Sequence, residues 1–296
     1  MYDWSSVKKF VILIPVYNDW ESLKKLLINI NENIQDIKNV KFDCIVVNDA
    51  SSIENSELIV PSNFSSIKIV NMNENRGHAR CNAFGIKFLS KQSNFDHLIL
   101  MDGDGEDRPE EIKNLVDQAL KDPGTSVVAK RIKRSEGPLF QLLYRIHKYL
   151  TFISTGKLIN FGNYSCLTRQ DVVELSSKAS LWSSFSGSVK KYISKYNEID
   201  SIRGLRYFGP SQMSLYKLAI HSFSIIAVFK TQVFLRTLIF LLLTYLVGPI
   251  LKINFIIFQI LLIFFNLVVF IVSFRENKEE LENSESNIKS VENFTH

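Results

Sequence analysis

Leu98-Ile-Leu-Met-Asp-Gly-Asp-Gly-Glu106 joins a short apolar run to a turn that carries three carboxylates. The run is typical of a buried strand, and the turn after it spaces Asp102, Asp104 and Glu106 two positions apart. Carboxylates at this spacing can converge on one hard cation, and oxygen ligands favour Mg²⁺ or Mn²⁺ over Zn²⁺. A solvated acidic turn is the alternative for an isolated motif, but the preceding strand favours a metal site here.

Other apolar runs on both sides of this strand alternate with stretches of helical spacing. Strands are predicted at residues 10–15, 42–47, 67–72, 97–101 and 126–130, and helices at 21–30, 78–89, 109–120 and about 140–153. This repeated order predicts an α/β fold, in which a mostly parallel sheet carries helices on both faces. Ligands of such sheets bind at the carboxyl ends of the strands, so the residues that follow each strand are candidates for a site.

Two polar clusters after the first and second strands suit a nucleotide. After the first strand, Pro15 and Asn18 flank Tyr17, whose ring offers a flat face for a base or sugar, and Glu21 follows. After the second strand, Asp49 can accept hydrogen bonds from a nucleobase amide or a ribose hydroxyl. Turns and helix caps explain each cluster equally well when it is taken alone. Their shared position at strand ends makes them a site hypothesis.

Basic residues mark two candidate anion sites. Gly77 opens a predicted helix whose N-terminal amides, together with Arg76, can hold an anion. Arg131 directly follows the core of the fifth strand, and Arg134 and Arg145 lie beyond it. Arginine binds phosphate through two parallel hydrogen bonds. A solvated basic face is an equal alternative for Arg134 and a weaker one for Arg131.

The amino-acid composition differs between the first and the last part of the chain. The 296 residues carry a net charge of +5 and a mean hydropathy of +0.05, and a disordered chain is excluded because 46% of the residues are hydrophobic. Phenylalanine is unevenly placed, since 11 of the 22 copies lie between Phe208 and Phe274. The three cysteines are far apart, which argues against a zinc site and against a disulfide framework.

Two uncharged apolar runs, residues 237–251 and 253–274, predict a transmembrane hairpin. A spanning helix needs roughly 20 residues. The second run is long enough alone, and the first is long enough if it extends back to residue 233 with Arg236 reaching the interface. Gly248-Pro249 is expected at the tip. A buried core helix is the alternative, but such a helix does not usually stay uncharged over this length.

The segments beside the hairpin are unevenly charged. Residues 201–236 contain five basic side chains and no acidic one, and a helix at 211–229 is expected to lie in the membrane interface against anionic headgroups. The tail beyond Phe274 is acidic. The positive-inside tendency places the main domain and, with two spans, the tail in the cytosol. Nucleic acid is not expected as a partner, because no nucleic-acid motif accompanies the charge.

Four segments follow from this pattern. They are a cytosolic domain at 1–202, a basic juxtamembrane region at 203–232, the hairpin at 233–274 and an acidic cytosolic tail at 275–296. Three amide side chains in the second span can bond to the first span or to a neighbouring copy, which leaves a homo-oligomer open: Asn254, Gln259 and Asn266. The chain is expected to be an integral protein of a bacterial inner membrane or its equivalent.

The order of the motifs resembles glycosyltransferase family 2. The shared segments are Pro15-Val-Tyr-Asn18, Asn48-Asp-Ala-Ser51, Asn75-Arg-Gly77, Met101-Asp-Gly-Asp104 with Pro109-Glu110, and Arg131. Together with the basic helix and the hairpin, they are similar to the dolichyl- and polyprenyl-phosphate sugar synthases of that family. The resemblance covers roughly residues 9–274 and implies the GT-A fold, whose mostly parallel sheet is Rossmann-like.

The resemblance also implies a hexosyl transfer with inversion and a role for individual residues. A UDP- or GDP-linked sugar would lie against Pro15, Tyr17, Asn18, Glu21, Asp49, Arg76, Gly77 and Asp102. The Mg²⁺ or Mn²⁺ would meet Asp102, Asp104 and Glu106. The phosphate of undecaprenyl or dolichyl phosphate would face Arg131, Arg134 and Arg145. Catalysis would rest on Asp104, Arg131 and Arg145.

Three residues depart from the family pattern. Asn48 stands for the first of two acids, Glu106 for a glutamine, and Asn163 for a common aspartate. Two alternatives to the lipid-phosphate transferase stay open. One is a membrane-anchored family 2 enzyme that acts on a saccharide or another lipid. The other is a non-enzymatic protein that keeps the fold and binds a nucleotide-sugar or serves as a scaffold.

Overall fold

In the part of the chain that the structure describes, one eight-stranded sheet combines segments that are far apart in the sequence. The computed structural model describes residues 7–54, 59–133, 138–209 and 214–295. In chain order the strands are β1 (Lys8–Val16), β2 (Val40–Asn48), β3 (Phe64–Met72), β4 (His97–Leu100), β5 (Ser126–Lys133), β6 (Phe161–Thr168), β7 (Tyr196–Ile202) and β8 (Ile288–Thr295). Their order across the sheet is β7-β5-β6-β4-β1-β2-β3-β8.

The centre of the sheet is parallel, as predicted. β3, β2, β1 and β4 are parallel neighbours, while β6 runs antiparallel to β4 and β5, and β8 runs antiparallel to β3. β1 is buried from Phe10 to Val16, which explains its continuous apolar run. All five strands predicted from the sequence are present.

Helices cover both faces of the sheet. They are α1 (Trp20–Ile34), α2 (His78–Ser90), α3 (Ile112–Lys121), α4 (Pro138–Thr155), α5 (Arg169–Ser176), α6 (Phe185–Tyr192), α7 (Leu215–Ala227), α8 (Lys230–Leu251), α9 (Ile256–Ser273) and α10 (Lys278–Glu282). Leu23 of α1 and Leu115 of α3 are buried in one core. Phe84 of α2 and Leu175 of α5 are buried in a second core. The predicted α/β layering is therefore confirmed.

α8 and α9 form the predicted apolar hairpin. Both helices are long and apolar enough to cross a membrane, with mean hydropathies of 2.0 and 2.8, and only 17% and 11% of their apolar stretches is buried. This exposure argues against core helices of a soluble domain. Gln259 donates a hydrogen bond to Thr244 Oγ1 at 3.0 Å, and Asn266 donates to Thr237 Oγ1 at 2.8 Å. Two of the three amides therefore bond to the first helix of the hairpin.

The hairpin turns later than predicted. α8 continues through Gly248-Pro249, and the chain reverses only at Lys252, which has a left-handed φ of 55°. Asn254 accepts a hydrogen bond from the N–H of Ile256 at the start of α9, at 2.9 Å. The expected tip at Gly248-Pro249 was wrong, because α8 accommodates a proline in its last turn at the cost of one helical hydrogen bond.

The segment after the hairpin belongs to the sheet and is not a separate tail. Leu281 of α10 is fully buried in a core of the domain, and β8 pairs with β3 from Ser66 to Met72. β8 exposes most of its side chains although its backbone is paired, so its hydropathy resembles that of a solvated tail. The boundary predicted at residue 275 is therefore corrected. Both ends of the hairpin return to the same domain.

Candidate active site

The ends of β1, β2 and β4 bring the predicted clusters together. The parallel register places the carboxyl ends of the three strands at one edge of the sheet, where Pro15 of the central strand lies between Asp102 and Asp49. The approach is close, since a Cβ added at Gly103 would lie 2.9 Å from the backbone oxygen of Pro15. Only glycine fits between the acidic turn and the end of β1.

Asp102 lies at the centre of a polar cluster. Its Oδ1 accepts a hydrogen bond from Asn163 Nδ2 at 3.1 Å and lies 2.9 Å from Nε2 of His78. Its backbone N–H donates to Asp107 Oδ2 at 3.0 Å, and Asp107 lies 3.8 Å from the guanidinium of Arg131. Asn163 therefore supplies a donor to the acidic turn. Sequence reasoning missed His78 and Asp107, because their contacts with Asp102 and Arg131 include partners 24 positions away in the sequence.

The carboxylates of this cluster influence one another's protonation. Burial raises the pKa of Asp107 to about 7, and repulsion from Asp102 adds to the effect. Burial opposes ionisation of Asp102 most strongly, but the adjacent His78, together with Arg203 and Arg131, outweighs it and holds the pKa of Asp102 well below its usual range. The pKa of Asp104 is raised by burial and then by Asp102. A bound cation reduces the repulsion between neighbouring carboxylates.

Two arginines that follow β7 bind the acidic turn. Arg206 Nη1 lies 2.5 Å from Asp104 Oδ2, and Arg206 Nη2 lies 2.9 Å from Asp19 Oδ2. Arg203 forms an ion pair with Glu106. The sequence held no signal for these pairs, since Asp104 and Arg206 are 102 positions apart.

We call residues 203–209 the arginine strap. Its backbone also contacts the backbone of the acidic turn. The N–H of Tyr207 donates to the carbonyl oxygen of Asp104 at 3.0 Å. Gly105 has a positive φ of 87°, and a Cβ added there would lie 2.6 Å from the ring of Tyr207. The turn therefore accepts only glycine beneath the strap.

Most basic side chains that were expected to meet lipid headgroups have partners in the protein. Besides the two strap arginines, Lys230 lies 2.8 Å from Glu276, and Arg236 donates to the carbonyl oxygen of Ile153 at 3.2 Å. Lys217 on α7 is exposed. Contact of the basic stretch with lipid headgroups stays a prediction, but four of its five basic side chains have partners within the protein. Its charges are balanced by carboxylates and a helix end that lie far away in the sequence.

The acidic turn has the ligand types for a divalent cation, but its carboxylates do not converge. Within residues 7–54, 59–133, 138–209 and 214–295, no three acidic, histidine or cysteine side chains are grouped as a metal ion requires. Asp104 and Glu106 bind the strap arginines, while Asp102 binds His78. The oxygen ligands and the raised pKa of Asp104 fit Mg²⁺ or Mn²⁺. Binding of a cation by Asp104 and Glu106 therefore requires the guanidinium groups of Arg206 and Arg203 to release these carboxylates.

Asp49 holds the loop that precedes α2. Its two oxygens accept hydrogen bonds from the N–H groups of Arg76 and Gly77, each at 2.8 Å. Gly77 has a positive φ of 89°, which suits glycine. Burial raises the pKa of Asp49, and the two backbone hydrogen bonds oppose this rise. Asp49 therefore shapes the loop beside the predicted nucleotide position.

Asn18 links the ends of β1 and β2. Its N–H donates to Ser51 Oγ at 2.9 Å, and its Oδ1 accepts from the N–H of Ser52 at 2.8 Å. Its φ of 53° is left-handed, a conformation that asparagine tolerates. Tyr17 is 46% exposed, and Glu21 is exposed in the first turn of α1. Both side chains are open to a ligand at this edge.

The three arginines predicted to bind the acceptor phosphate lie in different surroundings. Arg131 belongs to the cluster, with a side chain that is 14% exposed. It packs closely on Gly162, where an added Cβ would lie 2.6 Å from a guanidinium nitrogen. Arg145 is exposed on α4. Arg134 lies outside the described residues.

α7, which the sequence placed at 211–229 as an interfacial helix, reaches the same cluster. Burial lowers the pKa of His221 on α7 to about 4, and the charges of His78, His147 and Arg131 add to this effect. Besides the hairpin, α4 also has an exposed apolar surface. Its exposed apolar side chains are Leu142, Ile146, Tyr149, Leu150, Phe152 and Ile153. The site therefore adjoins α7, the helix that leads to the hairpin.

A family model described as Glycosyl transferase family 2 matches residues 11–181. This range is more than half of the chain and contains the acidic turn and Arg131. The chain belongs to glycosyl transferase family 2. The resemblance seen in the order of the motifs is thereby confirmed.

This family 2 glycosyltransferase is similar to enzymes named undecaprenyl-phosphate 4-deoxy-4-formamido-L-arabinose transferase. It is 28% identical to the one from Photorhabdus laumondii over 225 residues, which are 73% of this chain and 66% of the relative. It is 30% identical to the one from Salmonella choleraesuis over 173 residues, which are 57% of this chain and 50% of the relative. The chain thus spans between half and two thirds of the length of these relatives.

The fold is similar to that of glucosyl-3-phosphoglycerate synthase from Mycobacterium tuberculosis. The crystal structure of that enzyme with Mn²⁺, UDP-glucose and phosphoglyceric acid matches with a TM-score of 0.54 and 14% sequence identity. The match covers 76% of this chain and 80% of that one. At this identity the likeness concerns the fold alone, and it confirms the predicted GT-A architecture.

Proposed function

We propose that this glycosyltransferase moves a sugar from a nucleotide-sugar to the phosphate of a polyprenyl carrier at the cytosolic face of a membrane. The observation that carries the proposal is the position of α7. The charges of His78 and Arg131 in the acidic cluster act on His221 of this helix, and α7 leads directly into the apolar hairpin. A carrier whose chain stays in the bilayer can present its phosphate only to a site that adjoins the membrane.

The names of the relatives support this acceptor, since they are undecaprenyl-phosphate sugar transferases. The return of both hairpin ends to one domain supports a single membrane face for the whole domain. A cytosolic face is favoured by the positive-inside tendency and by the need for a nucleotide-sugar.

The donor would lie at the ends of β1 and β2, with its UDP or GDP near Tyr17, Asp49 and the amides before α2. Asp102, Asp104 and Glu106 would hold Mg²⁺ or Mn²⁺ once the strap arginines release the last two. The cation would supply positive charge to the departing diphosphate. The Mn²⁺ of the structural neighbour supports this class of cofactor.

An oxygen of the acceptor phosphate would attack the anomeric carbon of the sugar. One carbon–oxygen bond forms as the bond to the nucleoside diphosphate breaks, so the configuration inverts. A phosphate monoester is already anionic near pH 7, since its second pKa is about 6, so a strong general base is unnecessary. Arg131 orients the incoming phosphate and reduces its repulsion from the diphosphate. Arg145 and Arg134 are proposed to assist.

The proposal is tested with membranes that contain the protein, polyprenyl phosphate and a panel of radiolabelled UDP- and GDP-sugars. The expected product is soluble in chloroform, labile to mild acid and dependent on Mg²⁺ or Mn²⁺. Membranes with Asp104→Asn measure the background. A labelled product that survives mild acid would indicate a saccharide or another lipid as acceptor. Absence of any labelled product across the panel contradicts the proposal.

A further inference from the structure

The segment that follows the hairpin reaches the donor half of the site. Asn287 makes two hydrogen bonds to this half. Its carbonyl oxygen accepts from the N–H of Asn73 at 2.7 Å, and the Nδ2 of Asn287 donates to the carbonyl oxygen of Glu74 at 3.3 Å. The same loop continues to the two N–H groups that bind Asp49, each at 2.8 Å. Residues 73–77 are therefore held at one end by Asn287 and at the other by Asp49.

A row of polar side chains makes a second connection, from the end of β2 to β8. Asn48 Nδ2 donates to Asn71 Oδ1 at 2.8 Å. Asn71 Nδ2 donates in turn to Glu292 Oε1 at 2.6 Å and to Ser290 Oγ at 3.0 Å. Asn48 stands where the family pattern has an acid, and the row that begins there ends on the carboxylate of Glu292.

The segment is also anchored to the domain and to the base of the hairpin. Leu281 is fully buried, and Glu280 Oε2 accepts a hydrogen bond from Trp182 Nε1 at 2.8 Å. At the exit of the hairpin, Glu276 lies 2.8 Å from Lys230, the first residue of α8. The position of the segment is therefore tied to both ends of the hairpin.

A small cavity brings the two parts together. Its lining includes Asp49 and Arg76 from the donor side and Ser284 and Asn287 from the segment. The segment thus forms part of the wall around the residues that were assigned to the nucleotide.

We propose that residues 277–295 position the 73–77 loop for the nucleoside diphosphate part of the donor, with Asn287 and Glu292 as positioning residues. The proposal rests on the proposed function, since it assigns a nucleotide to this edge of the sheet. Without the Asn287 side chain, the loop keeps only the backbone hydrogen bond of Asn73 and the two bonds to Asp49, and the added cost of ordering it weakens nucleotide binding. The donor site is complete only when the chain has returned from the hairpin and β8 has joined the sheet.

The test compares variants of the full chain in detergent, with lipid-phosphate acceptor and nucleotide-sugar donor varied separately. Asn287→Ala keeps the backbone contact but removes the side-chain donor. We expect it to raise the KM for the donor and the Kd for UDP or GDP about threefold to tenfold, with kcat and the KM for the acceptor unchanged. Lys289→Ala, at an exposed position of β8, is the matched control.

Glu292 provides a second pair of variants. Glu292→Gln keeps an acceptor oxygen for Asn71 and is expected to bind nucleotide like the wild type. Glu292→Ala removes that oxygen and is expected to weaken nucleotide binding in the same way as Asn287→Ala. If Asn287→Ala does not fold, this pair gives the same comparison.

Calorimetric binding of UDP and GDP does not require sugar transfer, so the two proposals fail separately. Nucleotide binding that is equal in wild type, Asn287→Ala and Glu292→Ala overturns the positioning role and leaves the proposed function intact. A loss of kcat alone, or an equal rise of both KM values, also overturns it. Nucleotide binding without transfer to polyprenyl phosphate overturns the proposed acceptor but not the positioning role. A wild type that binds neither nucleotide overturns both.

Discussion

Arg206 joins two parts of the site through one guanidinium group, which lies 2.5 Å from Asp104 and 2.9 Å from Asp19. Asp104 belongs to the turn after β4, and Asp19 directly precedes α1. The protein thus supplies its own positive charge to a carboxylate that was predicted to bind a metal ion. Arg206 and a divalent cation therefore compete for Asp104.

Replacing Arg206 with alanine should strengthen the binding of Mn²⁺. The variant removes a competing charged hydrogen bond, so the Kd for Mn²⁺ should fall about tenfold. Electron paramagnetic resonance of free Mn²⁺ during a titration measures this. Arg206→Lys keeps the charge and should lie closer to the wild type. Unchanged or weaker binding in Arg206→Ala would show that the arginine does not compete with the cation.

Asp104→Asn should lower the rate of sugar transfer about 100-fold or more, because it removes a charge that the bound cation requires. The fold should persist, since an asparagine oxygen can still accept the hydrogen bond that Asp104 receives from the N–H of Glu106 at 3.0 Å. Initial rates with labelled donor measure the effect. Asp117→Asn, on the exposed side of α3, is the control. Wild-type rates in Asp104→Asn would exclude a role for this carboxylate.

His97 should make the protein less stable in acid. It begins β4 and stacks on Phe10 with ring centroids 4.8 Å apart, and burial lowers its pKa below the ordinary value of 6.5. The unfolded chain therefore takes up more protons as the pH falls below 6.5, so this contribution destabilises the fold there and vanishes above it. His97→Phe should reduce the fall in Tm from about pH 6.5 to pH 5. Curves of Tm against pH that run parallel for the wild type and His97→Phe would contradict this prediction.

The hydrogen bond between Asn266 and Thr237 should stabilise the hairpin modestly. Asn266→Leu and Thr237→Val each remove the contact of 2.8 Å. A side-chain hydrogen bond between membrane helices contributes about 0.6 kcal/mol on average and at most about 1.7 kcal/mol. Unfolding of the single and double variants in mixed micelles measures the coupling. Fully additive losses would mean that the two side chains act independently.

The central strands were predictable because strands buried on both faces have continuous apolar runs. β1 and β2 are of this kind, and their ends locate Pro15 and Asp49 at the site. β8 was not predictable in this way. It is an edge strand whose backbone is paired while its side chains stay exposed. Hydropathy reports side-chain environment and not backbone pairing, so the segment resembled a free tail.

The sequence alone determined the α/β layering, the acidic turn after β4 and the two apolar helices, because each depends on local spacing and hydropathy. Only the tertiary structure decided which charges meet. It placed Arg206 on Asp104, 102 positions away, and it placed Asn287 on the loop that Asp49 holds. Such contacts form only when folding brings distant segments together. A local pattern of residues does not indicate which distant segments will meet.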